Sequence, residues 1–562
     1  MNANIPITSV SDIDLTPLPG KINHSFEREW REEFIYFLMV DRFHDDAARA
    51  PVRQSGRSNG IQAPDDFYGG TLNGIRQNLD YIAGLGCTAI WLSPVFQNND
   101  KAYHGYNINN YLNIDPHFGT KQDLIDLVEA AHQRNPPMRV ILDVVINHSG
   151  DNWAYPGDYP YYYSSDQRFP LGFWRQNDLP VPTELRDETL YHRMGQIHSA
   201  GGWDAYPENQ HGDVVTLKDY ANDDDEPGSI LINILIKAHC YWIREADVDG
   251  FRVDAVKHMG ELACSRFCSN IREYAYTLGK RGFFLYGEVA SPDDALLDRY
   301  IGQNTSRQDG DKTVFFGLDS VLDFRLANDL PWVLKGFNTP QPLIDRLDAQ
   351  RDRALNRGEI GRYLVTFVDN HDSFWQPNGR FANGATDDQV IAAIGYLLCS
   401  LGTPCIYYGT EQGFSGHGGD NAMREAMFDR DTPGTNLLNP DCTIYTQISC
   451  VAGVMRSVEP LRFGRIYMRE ISGDGVHFGF PYGNSYTLAF SRILYPCEVL
   501  VAYNVSDQPR DDRVIIDHDL HQPGERMRFL YGAAGDVAVE TSPDGARFVH
   551  LPLGAHQFVI LE

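Results

Sequence analysis

The chain has 562 residues, 42% of them apolar and 22% charged, which is the composition of a folded globular protein with room for one large domain and one or two smaller ones. Its formal net charge of −28 repels phosphate backbones and anionic headgroups, so a nucleic-acid or membrane-surface partner is disfavoured, while a neutral polymer is indifferent to that field. No apolar stretch approaches the length of a membrane span.

Short, near-continuous apolar runs mark buried parallel strands. In chain order they are Phe34–Val40, Ala89–Val95, Arg139–Ile146, Val248–Val256, Phe283–Val289, Val314–Leu322, Tyr363–Val368 and Thr403–Tyr408. Segments with helical apolar spacing lie between them. Gly74–Leu85 carries Ile75, Leu79 and Ile82; Lys121–Ala131 carries Leu124, Leu127 and Val128; Ile230–Ile243 carries Ile234, Leu235, Ala238 and Trp242. Alternating strands and helices, about eight of each, predict an α/β protein of the closed (β/α)8 TIM-barrel type.

Two regions break the alternation. Residues 149–217, rich in Tyr, Trp, Pro, Gly and Asp, follow the third strand and are too long for an ordinary βα loop, which predicts an inserted subdomain. Residues 465–562 carry short β-rich runs such as Thr487–Phe490 and Glu498–Asn504, with the turn Pro543-Asp544-Gly545, which predicts a C-terminal antiparallel β-domain. The barrel is then expected over 31–148 and 218–464, and residues 1–30 form a separate N-terminal segment with no assigned role. MNANIPITSV lacks the basic-then-apolar pattern of a secretory leader. Most of the nine cysteines, such as Cys399 and Cys405, sit in apolar runs and read as reduced core thiols; Cys442 and Cys450 are the pair weighed for a bridge. Both features predict a cytoplasmic protein.

Reactive side chains in a parallel barrel belong at the C-terminal ends of strands. Four predicted strands end in charged and imidazole groups: Asp143-Val-Val-Ile-Asn147-His148, Arg252-Val-Asp254 followed by Lys257-His258, Gly287-Glu288, and Asp369-Asn370-His371-Asp372. Each alone is explained as a turn or an ion pair. Their joint occurrence at four strand ends is not.

These four segments resemble, in order, the four signature regions of the α-amylase family of glycoside hydrolases (family 13). The resemblance extends to MVDRF at 39–43, GGTLNGIRQNLDYIAGLGCTAIWLSPVF at 69–96, YHGYNINNYLNIDPHFGT at 103–120 and GTEQGFSGHGGDNAMRE at 409–425, and so covers most of residues 34–430. It implies a retaining mechanism with Asp254 as nucleophile, Glu288 as the acid/base that holds a proton near neutral pH, and Asp372 as a clamp on sugar hydroxyls. Chemistry agrees, since retention needs two carboxyl groups about 5–5.5 Å apart. The same resemblance implies sugar contacts from His104, Tyr106, His148 and His371, a partner for the nucleophile in Arg252, an acceptor-side pair in Lys257 and His258, a donor-side pair in Asp420 and Arg424, and a supporting role for Asp143.

Many family members hold calcium between barrel and insert, and calcium requires oxygen ligands. Asn147 and the backbone carbonyl of His258 match two ligands. The carboxylate ligand is either Asp219 in Leu217-Lys218-Asp219-Tyr220, where Lys218 and Tyr220 depart from the family pattern, or a member of the acidic run Asp223-Asp224-Asp225-Glu226 that follows closely. Trp153, Trp174 and Trp203 serve either the core of the insert or sugar stacking. The implied function is hydrolysis of α-1,4-glucosidic bonds in starch, glycogen or malto-oligosaccharides. The alternative is glucosyl or maltosyl transfer on the same residues, as in cyclodextrin glucanotransferases. A non-catalytic barrel serving as a binding subunit would lack carboxylates that are present here. Oligomeric state has no signal in the sequence.

Overall fold

A computed structural model describes residues 6–562 except 199–200, 224, 298, 303–305, 310–311, 316, 358–363, 374–378 and 433, with side chains omitted also at 306–315 and 350–357. Its centre is a parallel barrel of strands β1 (Ile35–Leu38), β2 (Ala89–Leu92), β3 (Arg139–Val144), β4 (Gly250–Val253), β5 (Phe284–Gly287), β6 (Ser320–Val321), β7 (Val365–Thr366) and β8 (Thr403–Tyr407). Each strand pairs with the next; β8 pairs with β1, and a Leu322–Val365 bridge joins the sixth strand to the seventh. Every residue of β1 through β5 is buried, as strands covered on both faces must be.

The helices that wrap the barrel are set by capping and periodicity. Helix α1 (Lys121–His132) starts at a capping box between Thr120 and Asp123 and buries Leu124, Leu127, Val128 and Ala131 on one face. Helix α2 (Glu226–Ala246) is capped by the Asp225 side chain and ends at Asp247, which adopts a left-handed φ of 61°. Helix α3 (Glu261–Thr277) follows β4. The three helix-like segments of the sequence are thus helical, with the first split at Asn78 into two short helices, Leu72–Gln77 and Leu79–Leu85.

Two expected strands differ. Val314 and Phe315 of the sixth run belong to Lys312–Phe315, which pairs antiparallel with Ser306–Asp309; only Ser320–Val321 enters the barrel. A short apolar run fits a hairpin as well as a core strand, so periodicity could not divide it. The fourth run stops at Val253 because Ala255 takes a left-handed φ of 51° and a turn over Val256–His258 follows. Tyr363 of the seventh run lies outside the described residues.

Between β3 and α2, residues 149–217 form an irregular lobe with a Trp153–Ala154/Phe173–Trp174 ladder, and His148–Ser149 pairs with Lys218–Asp219 at its neck. Residues 465–562 form a nine-stranded antiparallel sheet. It is tied to the barrel away from the strand ends: Arg492 donates to the carbonyls of Cys399 and Gly464, and Tyr503 Oη donates to Leu334 O. The N-terminal segment straps the outside, with Thr183 N donating to Thr8 O and Trp30 Nε1 to Gly282 O. All nine cysteines are free thiols, Cys442 and Cys450 included.

Candidate active site

Register decides which strand-end groups meet. Arg252 of β4 pairs with Asp143 of β3, and Val253 pairs with Gly287 of β5. Asp254 and Glu288 are each the next residue, so they leave adjacent strands at one level, with strands about 4.8 Å apart. Arg252 sits beneath them. Its Nη1 reaches Asp254 Oδ1 at 2.6 Å and Asp143 Oδ1 at 2.8 Å, and its Nη2 reaches Glu288 Oε2 at 2.8 Å. Tyr106 Oη and Trp91 Nε1 donate to Asp143 Oδ2 at 2.9 and 3.1 Å, which fixes that carboxylate under the guanidinium. Three carboxyl groups therefore surround one cation. Burial, with Glu288 and Asp143 nearby, raises the Asp254 carboxyl above the ordinary range against the pull of Arg252, and burial raises Asp143 to about 6. Asp254 and Asp143, buried together on one guanidinium, thus hold a proton more readily than isolated carboxylates do.

Above them lies a cleft of about 340 Å³ lined by Tyr106, His148, Trp203, Lys257, His258 and Asp372, with Asp254 and Glu288 at its floor. Asp372, part-exposed, receives Arg424 Nη2 at 2.8 Å and lies 3.0 Å from His371 Nε2. Arg424 also donates to His371 O and to Tyr103 Oη, so one buried guanidinium locks the rim of β7. Asp420 is exposed, 3.6 Å from Arg424, at the edge of the group.

Imidazoles supply donors. The Tyr106 amide donates to His104 Nδ1 at 3.1 Å, and the rings of His104, Tyr106 and His371 stack in a row. Gly105, at φ 90°, makes that turn; a Cβ there would lie 2.2 Å from Pro94 O. Burial pulls His104 and His148 down to about 3, so both are neutral. His148 Nε2 and His371 Nδ1 are buried with no hydrogen-bond partner among the described residues. Buried polar atoms without partners are costly unless a ligand satisfies them.

Ala255 is the backbone outlier of the site. Its left-handed turn directly after Asp254 carries Lys257 and His258 to the other side of the cleft. Lys257 Nζ pairs with Asp204 Oδ1 at 2.6 Å, and the Trp203 ring lies edge-on to His258 at 5.8 Å. Of the three tryptophans of the insert, Trp153 is fully buried core, Trp174 packs partly buried against that core, and Trp203 borders the cleft. Sequence reading missed Asp204 and Tyr103, whose partners are set by loop conformation rather than by any local pattern.

The expected calcium ligands Asn147 and Asp219 meet: Asn147 Nδ2 lies 3.3 Å from Asp219 Oδ1. Asn222 spans from Asn147 to the amide of Gly260, two residues beyond His258. Burial raises the Asp219 carboxyl to about 8, with Asp213 and Asp223 adding and His192 opposing. His192, which the sequence reading had not singled out, reaches Asp219 Oδ2 through Nδ1 at 2.5 Å and Asp223 Oδ2 through Nε2 at 3.1 Å.

A closed parallel barrel with two carboxyl groups on adjacent strand ends, under a cleft lined by aromatic rings and neutral imidazoles, can offer a carboxylate nucleophile and a proton donor to one bound ligand. Residues 34–436 match the family model described as the alpha amylase catalytic domain, and the chain belongs to the alpha-amylase family. An alpha-amylase of Streptomyces lividans is 29% identical across 95% of this chain and 60% of its own length. A cyclomaltodextrin glucanotransferase of Klebsiella oxytoca is 27% identical across 73% of this chain and 64% of its own. This chain thus spans less than two thirds of either relative. The solved alpha-amylase of Geobacillus thermoleovorans, complexed with acarbose, superposes with a TM-score of 0.69 at 26% identity, covering 95% of this chain and 99% of that one.

Proposed function

We propose that this protein is a retaining enzyme of α-1,4-glucosidic bonds in starch, glycogen or malto-oligosaccharides, and that it hydrolyses them. The observation that carries this reading is Arg252, whose two terminal nitrogens hold Asp254 and Glu288 on adjacent strand ends. A guanidinium that bridges two carboxylates keeps them close neighbours, as the retaining mechanism requires at about 5–5.5 Å. The Asp254 carboxylate attacks the anomeric carbon as Glu288 passes its proton to the departing glycosidic oxygen. The Glu288 carboxylate then takes a proton from water, which attacks the same carbon and releases Asp254. Asp372 and the unpartnered Nε2 of His148, both of which line the cleft, supply hydrogen-bonding groups for sugar hydroxyls, and Tyr106 a ring face.

The test is a product profile from maltoheptaose and soluble starch, resolved by chain length, with Asp254→Asn run beside it. Shorter products with reducing ends rising in step support hydrolysis. Longer or cyclic products with few new reducing ends would replace hydrolysis by transfer, the activity named for the Klebsiella relative; Trp203, Lys257 and His258 would then form the acceptor wall.

Calcium is part of the same proposal. Asn147, the Asp219 carboxylate and the His258 carbonyl are oxygen donors of the kind calcium takes, and a carboxyl buried as deeply as Asp219 gains from a cation beside it. The ion would stiffen the joint between insert and barrel. Chelation is expected to lower Tm and calcium to restore it, by about 3 kcal/mol of linkage at a free concentration about 100 times Kd. No shift in either direction removes the ion from the proposal. The free thiols, most of them buried, support the cytoplasm as the compartment.

A further inference from the structure

Outside the cleft, a cluster of side chains among the described residues has the composition of a transition-metal site. His192 closes the turn over Glu188–Leu190 at the base of the insert, His211 ends the short helix Glu208–His211, and Asp223 precedes α2. Their ligand atoms all lie within 4.8 Å of one another. His192 Nε2 is 3.1 Å and His211 Nε2 3.5 Å from the two oxygens of Asp223, and the two ring centroids are 4.4 Å apart at an interplanar angle of 38°. Ligands at about 2.0–2.1 Å in a tetrahedron stand about 3.3 Å apart, so these spacings accept an ion with small shifts.

The second shell is built as well. Asp219, fully buried, accepts from His192 Nδ1 at 2.5 Å, which leaves Nε2 as the nitrogen that faces Asp223 and His211. A carboxylate on the far nitrogen of a ligating histidine orients the ring and raises its basicity. Asp223 is part-exposed, so the fourth position opens to water. The second group of this kind among the described residues, Asp517-His518-Asp519, is a run of sequence neighbours at the surface.

We propose that His192, His211 and Asp223 form a zinc site, with a water as the fourth ligand. Two imidazoles and a carboxylate suit zinc and not calcium, which takes oxygen. Zinc displaces the proton between His192 Nε2 and Asp223 and joins three segments of chain. The middle one sits against the barrel next to the cleft, where His258 Nδ1 bonds to Asn209 O and Gln210 Nε2 to Met259 O. The ion would therefore brace the segment that carries Trp203 and Asp204. This inference is independent of the enzymatic reading.

The test is equilibrium dialysis of the full chain against zinc chloride in excess calcium, with bound metal measured by mass spectrometry, and cobalt(II) absorption as a readout of geometry. The wild type is expected to retain one zinc per chain and to give the intense visible bands of tetrahedral cobalt. His211→Ala and Asp223→Asn should lose both signals to background while melting cooperatively. A wild type that returns without zinc overturns the proposal, and so does a His211→Ala variant that keeps zinc and the cobalt bands.

Discussion

The two ends of the barrel use the same residue types to opposite ends. At the N-terminal end Glu33, Arg139, Lys280, Asp247 and Asp249 each have a partner of opposite charge. Glu33 takes Arg28 and Arg139 at 3.1 and 2.7 Å. Lys280 bridges Asp247 and Asp249 at 2.5 and 2.9 Å, and His132 adds a second cation to Asp249 at 2.8 Å. At the C-terminal end, the one guanidinium of Arg252 serves Asp143, Asp254 and Glu288, and two buried imidazole nitrogens have no hydrogen-bond partner among the described residues. Matched charge holds a fold together. Unmatched charge costs stability and is kept where a substrate or a proton completes it.

The sharpest way to break this contrast is to neutralise each end in turn. Asp254→Asn and Glu288→Gln remove one carboxylate from an over-supplied cluster, so melting should stay the same or rise. Steady-state starch cleavage should fall by about 10³–10⁴-fold in each. A variant with near-normal turnover would unseat the role given to that residue.

Lys280→Met is the converse. It leaves His132 and the backbone amides of His24 and Val140 as the partners of Asp247 and Asp249, without the ammonium that bridged them. Removal of one partner of a buried pair costs about 3–5 kcal/mol, so thermal melting should drop by several degrees while turnover per folded molecule is unchanged. Loss of turnover with unchanged melting would invert the assignment of the two ends.

The sequence displayed the C-terminal end far better than the N-terminal one. Asp143, Arg252, Asp254, Glu288 and Asp372 fall at the ends of apolar runs, where a charge is out of place and therefore visible. The strand order was readable for the same reason, since buried strands are continuous in sequence. Lys280, Asp247 and His132 lie at helix ends, where charges are ordinary, and their meeting depends on how α1, α2 and α3 finish against the sheet. The split of the sixth run and the left-handed turn at Ala255 were hidden because neither Val314 nor Ala255 differs in type from residues inside a strand. His192, His211 and Asp223 come from three distant segments whose approach is set by the insert, which has no periodicity to read.

The smallest effect separates a matched charge from a merely buried one by pH. Burial lowers His132, but Asp249 and Asp247 outweigh it and raise the imidazole from 6.5 to about 9. The ring also stacks on His24 at 4.7 Å. A folded-state value above the unfolded one means that the ion pair stabilises fully below about pH 6.5 and that this contribution is lost as pH rises through about 9. The shift corresponds to about 3 kcal/mol; against burial, Lys280 and then His132 hold the Asp249 carboxyl low, and the His132 share is the same contact seen from its other side, so it is not counted again. His132→Gln should therefore melt below the wild type by its widest margin at about pH 6, and the two curves should converge by about pH 10. A gap independent of pH would mean that His132 acts by packing alone, and the N-terminal end would then owe its stability to Lys280 and Arg139 without the histidine.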